Sequence, residues 1–160
     1  MTSDRTDAPS SASGRARHEL DMSSLLDSRP HSGGLPVPFA CEDDDGSLDH
    51  SSVVKRRAIR CALSRICGIC GETLSRPIAF LGPVDEWEAR LFTFPPTHHS
   101  CATEALSLFT PLGGAHLGQT EPPLQWALVT TGGFDLVRPT THGGIVQFRP
   151  NSVIDTTIVD

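Results

Sequence analysis

The 160-residue chain predicts an α+β fold, on three observations. Two stretches, 51–66 and 98–109, place apolar residues at helical spacing. From residue 124 onward, short runs rich in β-branched and aromatic residues are punctuated by Gly and Pro, the pattern of strands and turns. Set among these elements are two pairs of metal-binding side chains, Cys67 with Cys70 and His98 with Cys101, separated by 27 residues.

A chain of this length makes one domain, with room for a tail. Hydrophobic residues are 38% and charged residues 20% of the total, and no apolar run approaches the roughly 18 residues that a membrane span needs. The N-terminal stretch lacks the apolar region of a secretory signal and carries acids that a transit peptide avoids. A cytoplasmic location is therefore expected. Disulfides do not persist in that compartment, so closely spaced cysteines point to metal or redox chemistry.

The formal charge of −6 is unevenly spread. Residues 1–50 carry net −6, residues 51–110 net +2 and residues 111–160 net −2. An acidic chain is a poor starting point for strong nucleic-acid binding, which draws most of its affinity from phosphate neutralisation. The basic middle leaves room for a local patch.

Residues 1–50 read as a disordered leader, rich in Ser and acids and unable to bury enough surface to offset its ordering entropy. Within it, 19–28 can form a transient helix, 35–40 (LPVPFA) is extended by its prolines, and 41–50 (CEDDDGSLDH) is an acidic linker without the ligand positions of a calcium loop. Order is expected from Ser51. The helix over 51–66 has Ser51 or Ser52 as its cap and Ile59, Ala62, Leu63 and Ile66 as its apolar stripe. Lys55, Arg56, Arg57, Arg60 and Arg65 cover much of the rest, as a solvated face or as a contact for phosphates or an acidic partner. The neighbouring EDDD run can fold back and mask them.

Residues 67–75 read as a tight turn, 77–82 as a strand ending at Gly82-Pro83, and 85–94 as a short helix followed by a strand. Pro95-Pro96 sets an extended entry to the second helix, whose stripe is Ala102, Ala105, Leu106 and Phe109. Pro111 and Gly113-Gly114 end it. Runs 124–131 and 134–139 flank Gly132-Gly133, a hairpin signal, and 144–150 and 152–160 supply two further strands. The expected organisation is a leader (1–50), a metal-binding helix–knuckle–hairpin–helix core (51–112) and a β-rich part (113–160) packed on it.

Zinc takes four ligands in a tetrahedron, and Cys-x2-Cys lets the chain turn so that both sulfurs reach one centre. Gly68 and Gly71 suit the close backbone approach and positive φ of such a turn. His98 and Cys101, three apart at a helix start, share a face and meet the positive end of the helix dipole, which favours thiolate. A turn with one ligand pair, a hairpin, then a helix whose first turn bears the second pair is the arrangement of a treble-clef zinc finger. The spacing favours His98, with His99 as the alternative. A thioredoxin-like Cys-x2-Cys pair would need a βαβ context that the chain lacks. Cys61 reads as a buried small hydrophobe, and Cys41 as an uninvolved thiol in the leader. Four protein ligands close a zinc shell, so the site reads as structural.

The run Cys67-Gly-Ile-Cys70-Gly, then Leu74, Ala79-Phe80, Gly82-Pro83, Pro95-Pro96, His98 and Cys101-Ala102, resembles a family of uncharacterised zinc-finger-like proteins of phages, prophages and actinobacteria. The resemblance covers about residues 60–112. It implies a zinc-binding treble-clef-like core and cytoplasmic residence, and no known activity.

No catalytic set stands out. Asn151, the sole asparagine, lies outside any His-Asn-His frame, and 113–119 (GGAHLGQ) lacks the lysine of a phosphate-binding loop. The expected function is a non-enzymatic zinc-binding module that engages a macromolecular partner, a protein in a regulatory role. The alternatives are nucleic-acid binding through the basic helix, or a small accessory enzyme of unknown reaction built on Asp135, Arg138 and His142. Nothing in the sequence indicates a small-molecule substrate or a membrane partner.

Overall fold

The computed structural model describes residues 26–112, 115–119 and 121–160. Near the start of the described chain, β1 (His31–Ser32) and β2 (Leu35–Pro36) form a small antiparallel ribbon, followed by a single 3-10 turn at Phe39–Cys41. Leu26, Val37, Phe39, Ala40 and Cys41 are all buried. The leader predicted for 1–50 is thus corrected: residues 26–50 form part of the fold, with Leu26 and 36–41 buried in its core. Residues 36–41 are buried continuously, the prolines at 36 and 38 included, and only Leu35 at the start of the run stays half-buried. Residues 1–25, including most of the transient helix predicted at 19–28, lie outside the described residues.

The first helix, α1, runs Lys55–Ser64 and ends in a left-handed residue, Arg65. It starts later than predicted, and neither Ser51 nor Ser52 caps it: Val54 is the N-cap, with no side-chain cap bond. Its fully buried residues are Ala58 and Cys61; of the predicted stripe, Ile59 and Ala62 pack half-buried against the same core as Ala58, while Leu63 is 66% exposed. The half-buried Arg57 falls on the buried face because its guanidinium lies 4.4 Å from the Phe39 ring centre and donates to the Phe39 carbonyl.

A four-stranded antiparallel sheet carries the rest, in the order β4 (Thr97–His98), β3 (Ile78–Pro83), β5 (Trp126–Thr131), β8 (Val153–Val159). A short helix, α2 (Val84–Ala89), follows β3, and α3 (His99–Phe109) follows β4. Both faces of the sheet are covered at its central strands, so β3 and residues 126–129 of β5 are apolar instead of alternating with polar residues, while the edge strand β8 is mostly exposed. Ala79, Leu81, Trp126 and Leu128 join one core, with α3 and the 26–41 segment. Phe80, Ala127 and Val129 face the other, with Ala58, Phe92, Val146 and Phe148. Phe80 stacks on Phe92 at 5.6 Å between ring centres and meets Phe134 edge-on at 5.6 Å.

The Gly132-Gly133 hairpin is also corrected. β5 and β6 (Phe134–Val137) do not pair with each other: β5 pairs with β8, and β6 with β7 (Gln147–Pro150). The two glycines lie at a bend in one long arm, opposite a matching bend at Asn151-Ser152 in the other. The Gly132 N–H donates to the Ser152 carbonyl at 2.9 Å and the Asn151 N–H to Gly133 at 3.1 Å. The hairpin tip is the loop 138–146. The C-terminal part is accordingly no separate layer on the core, since it supplies two strands of the same sheet.

Burial, seconded by Asp49, pushes the Cys41 thiol up to about 12. An unfolded thiol titrates near about 8.5, so the fold favours the neutral form. The resulting stability is complete below about pH 8.5 and is lost as pH rises toward 12, by about 1.4 kcal/mol per pH unit. Cys61, raised to about 12 with burial as its first cause, acts in parallel. Denaturant unfolding between pH 7 and 10 is expected to show this decline, with a shallower slope in Cys41→Ala. An unchanged slope would place the Cys41 thiol outside the core.

Candidate metal centre

The knuckle is a minute hairpin. Ile66 bridges Thr73, the Cys67 N–H donates to the Glu72 carbonyl at 2.9 Å, and the Leu74 N–H to Arg65 at 2.7 Å. Its tip closes through the Gly71 N–H on the Cys67 carbonyl at 3.0 Å. Gly71 sits at φ +80°, and a Cβ there would lie 2.9 Å from the Phe39 ring. Gly68 supplies the close approach: a Cβ there would lie 3.1 Å from Phe94 and 3.2 Å from Pro95. Gly71→Ala is expected to lower the unfolding free energy by roughly 1–3 kcal/mol, the scale of a strained left-handed residue. Equilibrium denaturation checks this, and an unchanged midpoint would refute the left-handed geometry.

One tether holds the knuckle against the segment that leads to the second ligand pair, and two hold it against the Phe39–Cys41 turn. The Gly68 N–H donates to the Pro96 carbonyl at 2.8 Å, Phe39 N–H to Ile69 at 3.0 Å, and Ala40 N–H to Gly68 at 2.9 Å. β4 pairs antiparallel with β3 through Ile78–His98 and Ala79–Thr97, which fixes His98 at the N-cap of α3 and Cys101 in its first turn. The N-terminal segment therefore takes part in building the site, a role that its composition does not announce.

Cys67, Cys70, His98 and Cys101 converge, with their ligand atoms all within 4.8 Å of one another. The three cysteines are buried and His98 is half-buried. His98 Nδ1 lies 3.5 Å from Cys70 Sγ and 3.6 Å from Cys101 Sγ. Tetrahedral zinc with ordinary bond lengths needs about 3.6 Å between a sulfur and a nitrogen ligand. His98 Nε2 lies 3.0 Å from the Thr73 carbonyl; with the proton on Nε2 it donates there and leaves the Nδ1 lone pair for a metal. His99, the alternative, is outside the cluster. Three backbone N–H groups, of Ile69, Cys70 and His98, point at Cys67 Sγ from 3.4, 3.5 and 3.4 Å.

Burial opposes ionisation of Cys67, but hydrogen bonds from Cys101, Cys70 and His98 outweigh it and hold the thiol well below its ordinary value. Hydrogen bonds with Cys67 and Cys70 raise Cys101, and the same two partners raise His98 to about 10. Protons thus sit among the four side chains where a cation would sit. Binding a metal there displaces them, so affinity falls as pH falls. The four residues can hold a metal ion, and their donor set of three thiolates and one imidazole suits a borderline-soft one.

The five basic helix residues do not form one open face. Arg56 pairs with Asp44, and Arg57 with Glu42 and Asp44 at 3.4 Å each. Arg60 lies 5.7 Å from the Phe39 ring centre and Arg65 5.5 Å from that of Phe134. The acidic stretch has folded back on the helix. Lys55 stands apart from these four, in a cleft at the start of the helix. Of the residues considered for catalysis, Asp135 accepts from Asn151 at 3.2 Å, while Arg138 and His142 line an open depression that does not include it. No helix among the described residues is long and apolar enough to cross a membrane.

Fold and site together define an α+β chain with a Cys3His cluster that can hold a metal ion. Comparison with protein-family models, with curated proteins and with solved structures finds no match to this chain.

Proposed function

We propose that the chain is a non-enzymatic, cytoplasmic zinc-binding module with a treble-clef-like core, which engages a protein partner in a regulatory role. The observation that supports it is the closed set of four protein donors, two from a knuckle and two from a helix start, at tetrahedral spacing. A catalytic zinc keeps one position for water, and four protein ligands leave none. The order knuckle, β3, β4, α3 supports the treble-clef reading, as does the resemblance to the phage and actinobacterial zinc-finger-like proteins. A protein partner is favoured over nucleic acid because Arg56 and Arg57 already carry carboxylates.

Elemental analysis of protein made with zinc present and no chelator tests the first half, with one zinc per chain expected. A well-folded protein without metal overturns it. Partner binding that weakens steeply with salt would instead favour phosphate contacts by the basic helix, since apolar docking is little affected by salt.

A further inference from the structure

Away from the metal centre, the N-terminal end of α1 faces the hairpin tip 138–146 across a cleft in two compartments. One, of about 410 Å³, is lined by Ser51, Ser52, Lys55, Glu86, Thr93 and Gln119 among others. The other, of about 560 Å³, is lined by Lys55, Arg138, Thr140, Thr141 and His142 with Gly143. Lys55, Gly143 and Val146 belong to both, so the compartments adjoin at the sole lysine of the chain.

Neither Lys55 nor Arg138 has a carboxylate partner among the described residues. Arg29, Arg56 and Arg57 are paired with acids, and Lys55 and Arg138 differ from the remaining arginines in lining one depression together. In a chain of net charge −6, two cations and an imidazole from two distant segments converge on one concavity without an internal counter-ion. The first turn of α1 adds to this: it holds no acid and has no side-chain cap, so its positive dipole end is uncompensated. Glu86 marks the other end. Its carboxylate accepts from the Thr93 N–H at 3.1 Å, the Thr93 hydroxyl at 3.0 Å and Gln119 at 3.4 Å, which holds it rigidly in the wall.

We infer that this cleft binds a small anionic ligand, its phosphate or carboxylate group held by Lys55, Arg138 and His142, with a hydroxyl- or amine-bearing body reaching toward Glu86. A small molecule fits better than a polymer because Arg56 and Arg57, which a polyanion would meet along α1, are already occupied by Glu42 and Asp44.

Titration calorimetry of the full chain with inorganic phosphate and, separately, with citrate tests the inference. Saturable binding of at least one probe is expected, with phosphate alone or citrate alone identifying the preferred group. Lys55→Gln and Arg138→Gln should each weaken it roughly tenfold, the scale of one charged hydrogen bond. Arg149→Gln, outside the cleft, should leave it unchanged. Melting of the ligand-free variants controls for folding, and the wild-type titration stands alone if one of them fails to fold. No saturable binding of either probe, or equal weakening by Arg149→Gln, overturns the proposal. A wild-type affinity retained in both cleft variants does the same.

Discussion

Cys67→Ser and Cys101→Ala are each expected to yield protein that retains no metal and melts without a cooperative transition. A structural zinc site contributes on the order of 10–16 kcal/mol in small zinc-dependent folds at neutral pH, which matches or exceeds the total stability of about 5–15 kcal/mol of an ordinary domain. The Cys67 sulfur is the hub of the site: three backbone N–H groups and three side chains face it. A serine hydroxyl is neither soft nor ionised and reaches less far than sulfur, so it leaves those N–H groups without their anionic acceptor and the metal short of a ligand. Cys61→Ala is the control, since Cys61 is fully buried but outside the cluster. It should keep its metal and lose only about 1 kcal/mol, the transfer cost of one small apolar group. Metal content with thermal melts separates these outcomes. Ligand variants that melt cooperatively at the wild-type temperature would show that the cluster does not hold the core together.

The site is legible in the sequence because its signal is local. Cys-x2-Cys and His-x2-Cys each bring two donors together within one turn, and only their meeting has to be inferred. α3 is equally legible, since Ala102, Ala105, Leu106 and Phe109 all face the core as their spacing implies. The features that spacing misplaces depend on partners distant in sequence. In α1 the spacing finds Ile59 and Ala62, which pack on the core, but misses Ala58 and Cys61, and nothing near Arg57 in sequence announces its contact with Phe39. Gly132-Gly133 carries a hairpin signal, yet β5 has β3 and β8 as neighbours, and the glycines form a bend. A two-residue turn signal fixes local geometry, and the choice between folding back and running on belongs to the rest of the sheet.

The 26–50 segment shows the same limit, and it leads to the second large expected effect. The many serines and acids of 1–50 make the whole stretch look unable to pack, and they hide Leu35, Val37 and Phe39 within it. A chain shortened to begin at Ser51 is expected not to fold. Burial of Leu26, Val37 and Phe39 contributes up to roughly 5–9 kcal/mol by apolar transfer, an upper figure that is still comparable with a whole domain's stability. The loss reaches the metal centre too. Phe39 packs against Gly71, and the Phe39 and Ala40 N–H groups hold the Ile69 and Gly68 carbonyls of the knuckle. Without them the Cys67–Cys70 turn loses its backing, and Arg57 loses both its ring and its Glu42 partner. Circular dichroism and metal content of the 51–160 chain check this. Phe39→Ala in the full chain supplies the graded test: it should cost about 3–5 kcal/mol while the rest of the segment stays in place. A 51–160 chain that binds metal and melts like the full chain would return the segment to the role of a passive leader.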